Sequence, residues 1–125
     1  MILKNILITD DSITARRLLT FHLKEYKPAH FDILSAKDGA DALFMLRDNE
    51  VDILFLDLTM PIVDGYSVAE FIHDRKLKVT IVIIAASLDK NAILKLSKLG
   101  IKHFLAKPIE KDRMVQILDE LILDK

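Results

Sequence analysis

Side chains that could do chemistry follow several short apolar runs in this sequence. Asp10 and Asp11 come directly after NILIT, Asp57 closes DILFLD, and Lys107 follows HFLA. A charged group beside buried apolar residues is costly unless a neighbouring group compensates it. Asp10 and Asp11 alone could cap a following helix. Together with Asp57 and Lys107, they are better interpreted as parts of one site.

Five short apolar runs alternate with amphipathic segments along the chain. We predict strands over residues 5–9, 31–36, 52–57, 80–85 and 103–106. Helices are predicted over 12–26, 39–49, from 65 onward and over 110–124, and a further helix begins after Asp89, its expected cap, and stops at Gly100. Three of the runs are almost continuously apolar, which is typical of strands covered on both faces. The alternation predicts an α/β fold with a parallel sheet between two layers of helices.

Two further assignments follow from the helical pattern, one for a buried face and one for an exposed face. The apolar stripe of the second helix is predicted to contain Ala40, Leu43 and Phe44. Arg16 and Arg17 are interpreted as a solvated face of the first helix. Neither assignment gives these residues a chemical role.

The predicted topology brings the charged side chains to one edge of the sheet, because functional groups in open α/β sheets collect at the carboxyl ends of the strands. If the first and third strands are neighbours, they lie about 4.8 Å apart, and Asp10, Asp11 and Asp57 repel one another. A divalent cation would relieve this repulsion. Oxygen ligands without sulfur favour Mg²⁺, with Mn²⁺ possible, over zinc. Beside such a cation and Lys107, Asp57 could act as a nucleophile toward phosphorus and form an acyl phosphate.

Composition excludes several other classes of function. The 125 residues suffice for one domain, and 18 basic against 19 acidic side chains give no electrostatic reason to expect nucleic acid or an anionic membrane as a partner. The absence of cysteine excludes disulfides, thiol chemistry and cysteine-ligated zinc. We expect a single cytoplasmic domain over residues 1–125, without an attached output domain.

The combination of motifs resembles the receiver domain of two-component response regulators over the whole chain. The resemblance rests on Asp10-Asp11, on DLTMPIVDG at residues 57–65, and on the dipeptide Lys107-Pro108, in this order and at these spacings. It implies a flavodoxin-like, doubly wound five-stranded sheet of order 2-1-3-4-5 with five flanking helices. It also implies a stand-alone, chemotaxis-regulator-like switch in a two-component, phosphorelay or chemotaxis pathway. Such a protein catalyses only its own phosphorylation and dephosphorylation.

The resemblance assigns a role to each residue of the site. Asp57 would be the phospho-acceptor, and Lys107, in a cis peptide with Pro108, would pair with the phosphoryl group. Asp11 would be the main Mg²⁺ ligand, assisted by Asp10 through water. Asp57 and the backbone carbonyl of Thr59 would complete the protein ligands.

The same resemblance implies partners and modulating residues. The phosphoryl donor would be a sensor histidine kinase or a phosphotransfer protein. A downstream protein would bind the face made by the fourth helix, the fifth strand and the fifth helix, where Leu94 is a candidate exposed apolar residue. The side chains of Thr59 and Ser87 would flank the site and tune how fast phosphate is lost.

Two positions depart from the family pattern. Counting back from Lys107 places Ala85 where receivers usually carry Thr or Ser; a shifted register would place Ser87 there instead. Alanine cannot donate the hydroxyl hydrogen bond toward the phosphoryl group, and a bond of this kind is worth about 1.5–3 kcal/mol. Phe104 stands at the switching aromatic position, where Tyr is frequent, and lacks the hydroxyl.

Three alternatives remain beside the phosphorylation switch. A pseudo-receiver that binds partners without phosphate is favoured by Ala85 but opposed by Asp57 and Lys107. A haloacid-dehalogenase-type phosphohydrolase would usually place a second aspartate where Thr59 stands. A flavodoxin-like flavin site is disfavoured, because the acidic turn TDDSITA would repel a cofactor phosphate.

Overall fold

Strands and helices alternate along the whole chain in the computed structural model, which describes residues 2–60 and 63–123. The elements, in chain order, are β1 (Leu3–Thr9), α1 (Ile13–Glu25), β2 (His30–Ala36), α2 (Gly39–Asp48), β3 (Ile53–Asp57), α3 (Gly65–Asp74), β4 (Thr80–Ala85), α4 (Lys90–Ser97), β5 (His103–Ala106) and α5 (Lys111–Ile122). The α/β fold class predicted from the alternation is confirmed. In this described part of the chain, no helix combines the length and the apolar character needed to cross a membrane.

The five strands form one parallel sheet in the order β2-β1-β3-β4-β5, as the resemblance implied. The strand order reverses beside β1, so that β1 and β3 are the central neighbours. In the register, Thr9 pairs with Leu56, and Asp57 pairs with Ile84. The carboxyl ends of β1, β3 and β4 therefore lie side by side, with the end of β5 one strand further on.

Two separate apolar layers cover the sheet. All five residues of β3 are buried, and their side chains alternate between the layers: Leu54 and Leu56 face α2, α3 and α4, whereas Ile53 and Phe55 face α1 and α5. This double coverage explains why the strand reads as a continuous apolar run, since neither of its faces meets water.

Most helices begin at a side-chain cap. Ser12, Asp38, Asp64 and Asp89 each accept a hydrogen bond from the backbone N–H three residues further on, at 2.7–3.2 Å. Such a bond satisfies one of the free donors at a helix start. The prediction of Asp89 as a cap is confirmed. The cap of α1 is Ser12, rather than Asp10 or Asp11.

The ends of two helices differ from the prediction. The helical hydrogen-bond pattern of α4 stops at Ser97 rather than Gly100, because Leu99 and Gly100 donate to carbonyls three residues back, at 3.0 Å each. This tighter turn ends in Gly100, whose φ of +84° suits glycine. The structure describes α5 as far as Ile122, and the predicted end at Asp124 lies outside the described residues.

The predicted stripe of α2 was wrong in part. Ala42 and Leu46 are buried, whereas the Phe44 side chain is 56% exposed. Leu43 is partly buried and packs against the core. The helix is rotated so that Ala42 and Leu46 face the sheet, and a phenylalanine is left at the surface.

Gly65 allows α3 to start against the end of β3. A Cβ atom at this position would lie 2.5 Å from the carbonyl oxygen of Asp57 and 2.7 Å from the Cα of Leu58. Both atoms belong to the backbone that carries the candidate site. Glycine is therefore needed at position 65, because a side chain would push the helix away from the strand.

We expect Gly65→Ala to lower the free energy of unfolding by about 1–3 kcal/mol, because the added methyl group must displace backbone atoms. Ser67→Ala, at an exposed position in the same helical turn, is the matched control and should change stability by less than about 0.5 kcal/mol. Urea unfolding followed by circular dichroism measures both. Equal stability of the two variants would show that the turn has room for a side chain.

Candidate functional site at the carboxyl edge of the sheet

Three aspartates meet where β1 and β3 end. One carboxylate oxygen from each of Asp10, Asp11 and Asp57 lies within 4.8 Å of the other two. Asp10 and Asp57 are each only 2% exposed, whereas Asp11 is exposed. The predicted cluster is therefore present, with two carboxylates buried and the third at its mouth.

Lys107 reaches the two buried carboxylates from the end of β5. Its Nζ lies 3.1 Å from Oδ2 of Asp10 and 3.3 Å from Oδ2 of Asp57. The backbone N–H of Lys107 donates to the carbonyl of Ala85 at 2.9 Å, which fixes the lysine beside the end of β4. The Lys107-Pro108 peptide is cis, as the resemblance implied.

Backbone donors hold the other carboxylate oxygens. The N–H of Thr59 donates to Oδ1 of Asp57 at 3.1 Å, and the N–H of Ser12 donates to Oδ1 of Asp10 at 2.9 Å. Arg16 donates from Nη1 to the backbone carbonyl of Asp10 at 2.6 Å. The assignment of Arg16 to a solvated face was thus wrong, since this side chain is partly buried against the end of β1.

Burial and charge act in opposite directions on the two central groups. Burial raises the pKa of Asp57, and the charge of Asp10 adds to the rise, while the Thr59 N–H and the Lys107 ammonium oppose it. For Lys107, burial lowers the pKa, but hydrogen bonds and charges from Asp10 and Asp57 outweigh it and leave the pKa above its ordinary value. The ammonium is therefore firmly charged, and it compensates the carboxylates only in part.

The donor set of this cluster fits a hard divalent cation. Three carboxylates face a single ammonium, so that a cation of charge +2 would balance the group. All of the candidate ligand atoms are oxygens, which suits Mg²⁺ or Mn²⁺ better than zinc. The acidic cluster predicted from the sequence could thus hold a metal ion.

A cavity of about 250 Å³ opens beside the aspartate cluster. It is lined by Leu58, Thr59, Tyr66, Ala85, Ala86, Ser87, Asp89 and Ala92. Ala85 is buried at the last position of β4, and Ser87 lies two residues further on, in an exposed loop. Thr59 and Ser87 thus both line this cavity. Phe104 packs instead against the core layer next to α2, α3 and α4.

Sequence reasoning missed Tyr66 as part of this cavity wall. Its ring carries the Lys95 ammonium 4.2 Å from the ring centre, which ties the start of α3 to α4. No motif or spacing in the sequence marks this residue, because its part in the cavity wall depends on the approach of α3 to the loop after β4.

The comparisons with known proteins identify the family. A model of the response regulator receiver domain matches residues 6–119. The chain belongs to the response regulator receiver family. Receiver domains are signalling modules of two-component and chemotaxis systems and interact with histidine kinases and other proteins.

Individual relatives of this receiver differ in length. It is 32% identical over 114 residues to the protein PilG of Pseudomonas aeruginosa, covering 88% of this chain and 81% of PilG. It is 29% identical over 123 residues to stress response regulator protein 1 of Lodderomyces elongisporus, covering 95% of this chain but 33% of that protein. The receiver thus spans about one third of the second relative.

The fold of this receiver is also similar to that of one chain in a solved complex. A chain of the CheX-CheY-BeF3-Mg²⁺ complex from Borrelia burgdorferi superimposes with a TM-score of 0.86. The two chains are 26% identical, and the match covers 94% of this chain and 88% of the other.

Opposite charge changes at this site should shift stability in opposite directions. Without divalent cations, Asp10→Asn removes carboxylate repulsion and should raise the melting temperature by roughly 3–5 °C, equivalent to about 1 kcal/mol for a chain of this size. Lys107→Met leaves two buried carboxylates without their cation and should cost about 1–3 kcal/mol. Calorimetry in EDTA tests both; a shift in the same direction for the two variants would contradict the electrostatic account.

Proposed function

We propose that this receiver is a phosphorylation switch that takes a phosphoryl group onto Asp57 from a phosphohistidine of a sensor kinase or phosphotransfer protein. One observation carries the proposal. The buried carboxylate of Asp57 has one oxygen on the Thr59 N–H and the other 3.3 Å from the Lys107 ammonium, beside two further aspartates. A carboxylate with only a structural role would not require two further carboxylates and an ammonium beside it.

The residues present would hold Mg²⁺ at the mouth of the site. Asp11 is the main candidate ligand because it is exposed at the mouth, with Asp10, Asp57 and the carbonyl of Thr59 completing the set. When bound, the metal neutralises charge on the oxygens of the transferring group. The Borrelia complex that this chain resembles contains Mg²⁺, which supports the assignment.

The protein's own groups position and stabilise the transfer. An oxygen of ionised Asp57 forms a bond to phosphorus while the bond between phosphorus and the donor imidazole breaks, and the imidazole nitrogen keeps the electron pair. Lys107, on the same side as Oδ2 of Asp57, can pair with an equatorial oxygen of the phosphoryl group. The Thr59 N–H keeps the carboxylate pointing toward the donor.

Ala85 sets how strongly this modification changes partner binding. It occupies the end of β4 next to Asp57, and its methyl group offers no donor to a phosphoryl oxygen. The loop carrying Ala86 and Ser87 is then drawn toward the phosphoryl group less firmly. We infer that the switch to a downstream protein, at the face of α4, β5 and α5, is less complete than chemistry at Asp57 alone would allow.

A pseudo-receiver that binds partners without phosphate is the second candidate. Ala85 favours it, since the hydroxyl that links phosphate to the loop is missing. The buried Asp57 and its contact with Lys107 oppose it, because a carboxylate without a chemical role carries a desolvation cost.

Phosphorylation should be dependent on Mg²⁺ and confined to one residue. Incubation with acetyl phosphate should add a single phosphoryl group by intact-mass spectrometry in Mg²⁺ and none in EDTA. Asp57→Asn, which keeps the size of the side chain, should remain unmodified. Inorganic phosphate release is followed in the same tubes, because rapid hydrolysis would hide the adduct. The absence of both the adduct and phosphate release would favour the pseudo-receiver.

A hydroxyl at position 85 should increase the effect of phosphorylation on partner binding. Ala85→Thr adds a donor worth about 1.5–3 kcal/mol toward a charged acceptor. Phosphate should therefore increase the affinity of this variant for a downstream protein by roughly tenfold more than in the parent chain, as measured by titration with the phosphorylated and unphosphorylated forms. Ala86→Thr, one residue further along the loop, is the matched control. An identical response of all three chains would remove Ala85 from the account.

A further inference from the structure

A groove runs between α2 and α3 on the outer surface of one helix layer, away from the aspartate cluster. It has a volume of about 520 Å³ and is lined by Ala40, Leu43, Phe44, Leu46, Arg47, Phe71, Arg75 and Leu77. Five of these residues come from the face of α2, and the others from the end of α3 and the turn after it. The proposed phosphorylation mechanism uses none of them.

Each side of the groove carries an arginine stacked on a phenylalanine. The guanidinium carbon of Arg47 lies 4.8 Å from the ring centre of Phe44, and that of Arg75 lies 4.7 Å from the ring centre of Phe71. A stacked guanidinium keeps its N–H edge free, and this edge suits a carboxylate in two-point contact. Because the stacking already holds the side chains in place, a ligand would lose less free energy in ordering them.

The floor and rim of the groove expose apolar surface. Phe44 is 56% and Leu77 is 37% exposed, while Leu43 and Phe71 are partly buried beside them. Single exposed apolar side chains are ordinary, but adjacent ones that form a concave patch mark interaction sites. The Phe44 side chain that α2 leaves at the surface is part of this patch.

The charge of the groove is positive. Its two ionisable lining residues are Arg47 and Arg75. Asp48 lies 3.3 Å from Arg47, but both side chains are well exposed, so the pair is weak and exchangeable. Among the carboxylates in the described part of the chain, none lies within 4.0 Å of a nitrogen of Arg75.

We propose that this groove docks an amphipathic helix of a partner protein, with apolar side chains between Phe44 and Leu77 and aspartates or glutamates on Arg47 and Arg75. A helix fits because its apolar stripe can lie along a groove between two helices, as in other helix-in-groove interactions. Acidic flanks fit because the two arginines stand on opposite walls. The surface recruits this partner independently of the state of Asp57.

Peptide selection tests the chemistry of the occupant. A phage library of random 16-residue peptides is selected on the immobilised wild-type chain, and the enriched peptides are synthesised with a fluorophore. We expect enrichment of sequences with leucine or aromatic residues at helical spacing flanked by aspartate or glutamate. We also expect their affinity, by fluorescence anisotropy, to fall on going from 50 to 300 mM NaCl.

Variants locate the binding surface. Phe44→Ser and Arg75→Glu should each weaken binding at least tenfold, and both lie at the surface, where folding tolerates substitution. Phe21→Ser on α1 is the matched control, because Phe21 is the same residue type and is 57% exposed, nearly the same as Phe44. Asp57→Asn should bind like the parent chain, which separates this proposal from the phosphorylation chemistry.

The remaining outcomes would overturn the proposal. Enriched peptides that are basic or neutral would contradict the assigned charge. Undiminished binding to Phe44→Ser and Arg75→Glu, or loss of binding in Phe21→Ser or Asp57→Asn, would place the site elsewhere. Sedimentation of the free chain tests whether a second copy of this chain occupies the groove instead. A dimer that Phe44→Ser dissociates would assign the groove to that second copy.

Discussion

The desolvation cost of burying Asp10 and Asp57 beside Lys107 is the constraint that the rest of the structure has to satisfy. Two carboxylates with almost no exposure lie within reach of one ammonium at the carboxyl ends of buried central strands. Such an arrangement costs desolvation energy that only a rigid frame can sustain. The two apolar layers supply that frame, and they keep β1, β3 and β5 in the register that brings the charges together.

The fold was predictable from local pattern because the central strands are covered on both faces. A strand such as β3, buried along its whole length, has to be continuously apolar, and each intervening helix has to present one apolar stripe. What the pattern could not give is the rotation of a helix whose apolar residues exceed one stripe. In α2, the methyl group of Ala42 fits against the sheet, and the larger ring of Phe44 is displaced to the surface.

The charged residues of the site were predictable for a different reason. Their types and their places after apolar runs carry the information, since strands in a parallel sheet deliver their carboxyl ends to one edge. Arg16, Gly65 and Tyr66 escaped prediction because their parts depend on three-dimensional proximity. Arg16 donates a hydrogen bond to the carbonyl of Asp10, Gly65 allows a close backbone approach, and Tyr66 lines a shared cavity. None of these contacts leaves a signature in composition or spacing. The roles of the site residues in phosphoryl transfer stay predictions.

The hydrogen bond from the Lys107 N–H to the Ala85 carbonyl links two parts of the site through main-chain atoms alone. A backbone bond does not depend on which side chain position 85 carries. Alanine at that position therefore removes a possible hydroxyl donor to a phosphoryl group. It leaves the backbone hydrogen bond between Lys107 and the end of β4 in place. A substitution at position 85 would therefore alter the response proposed for phosphorylation at Asp57 without altering the backbone link between β4 and Lys107.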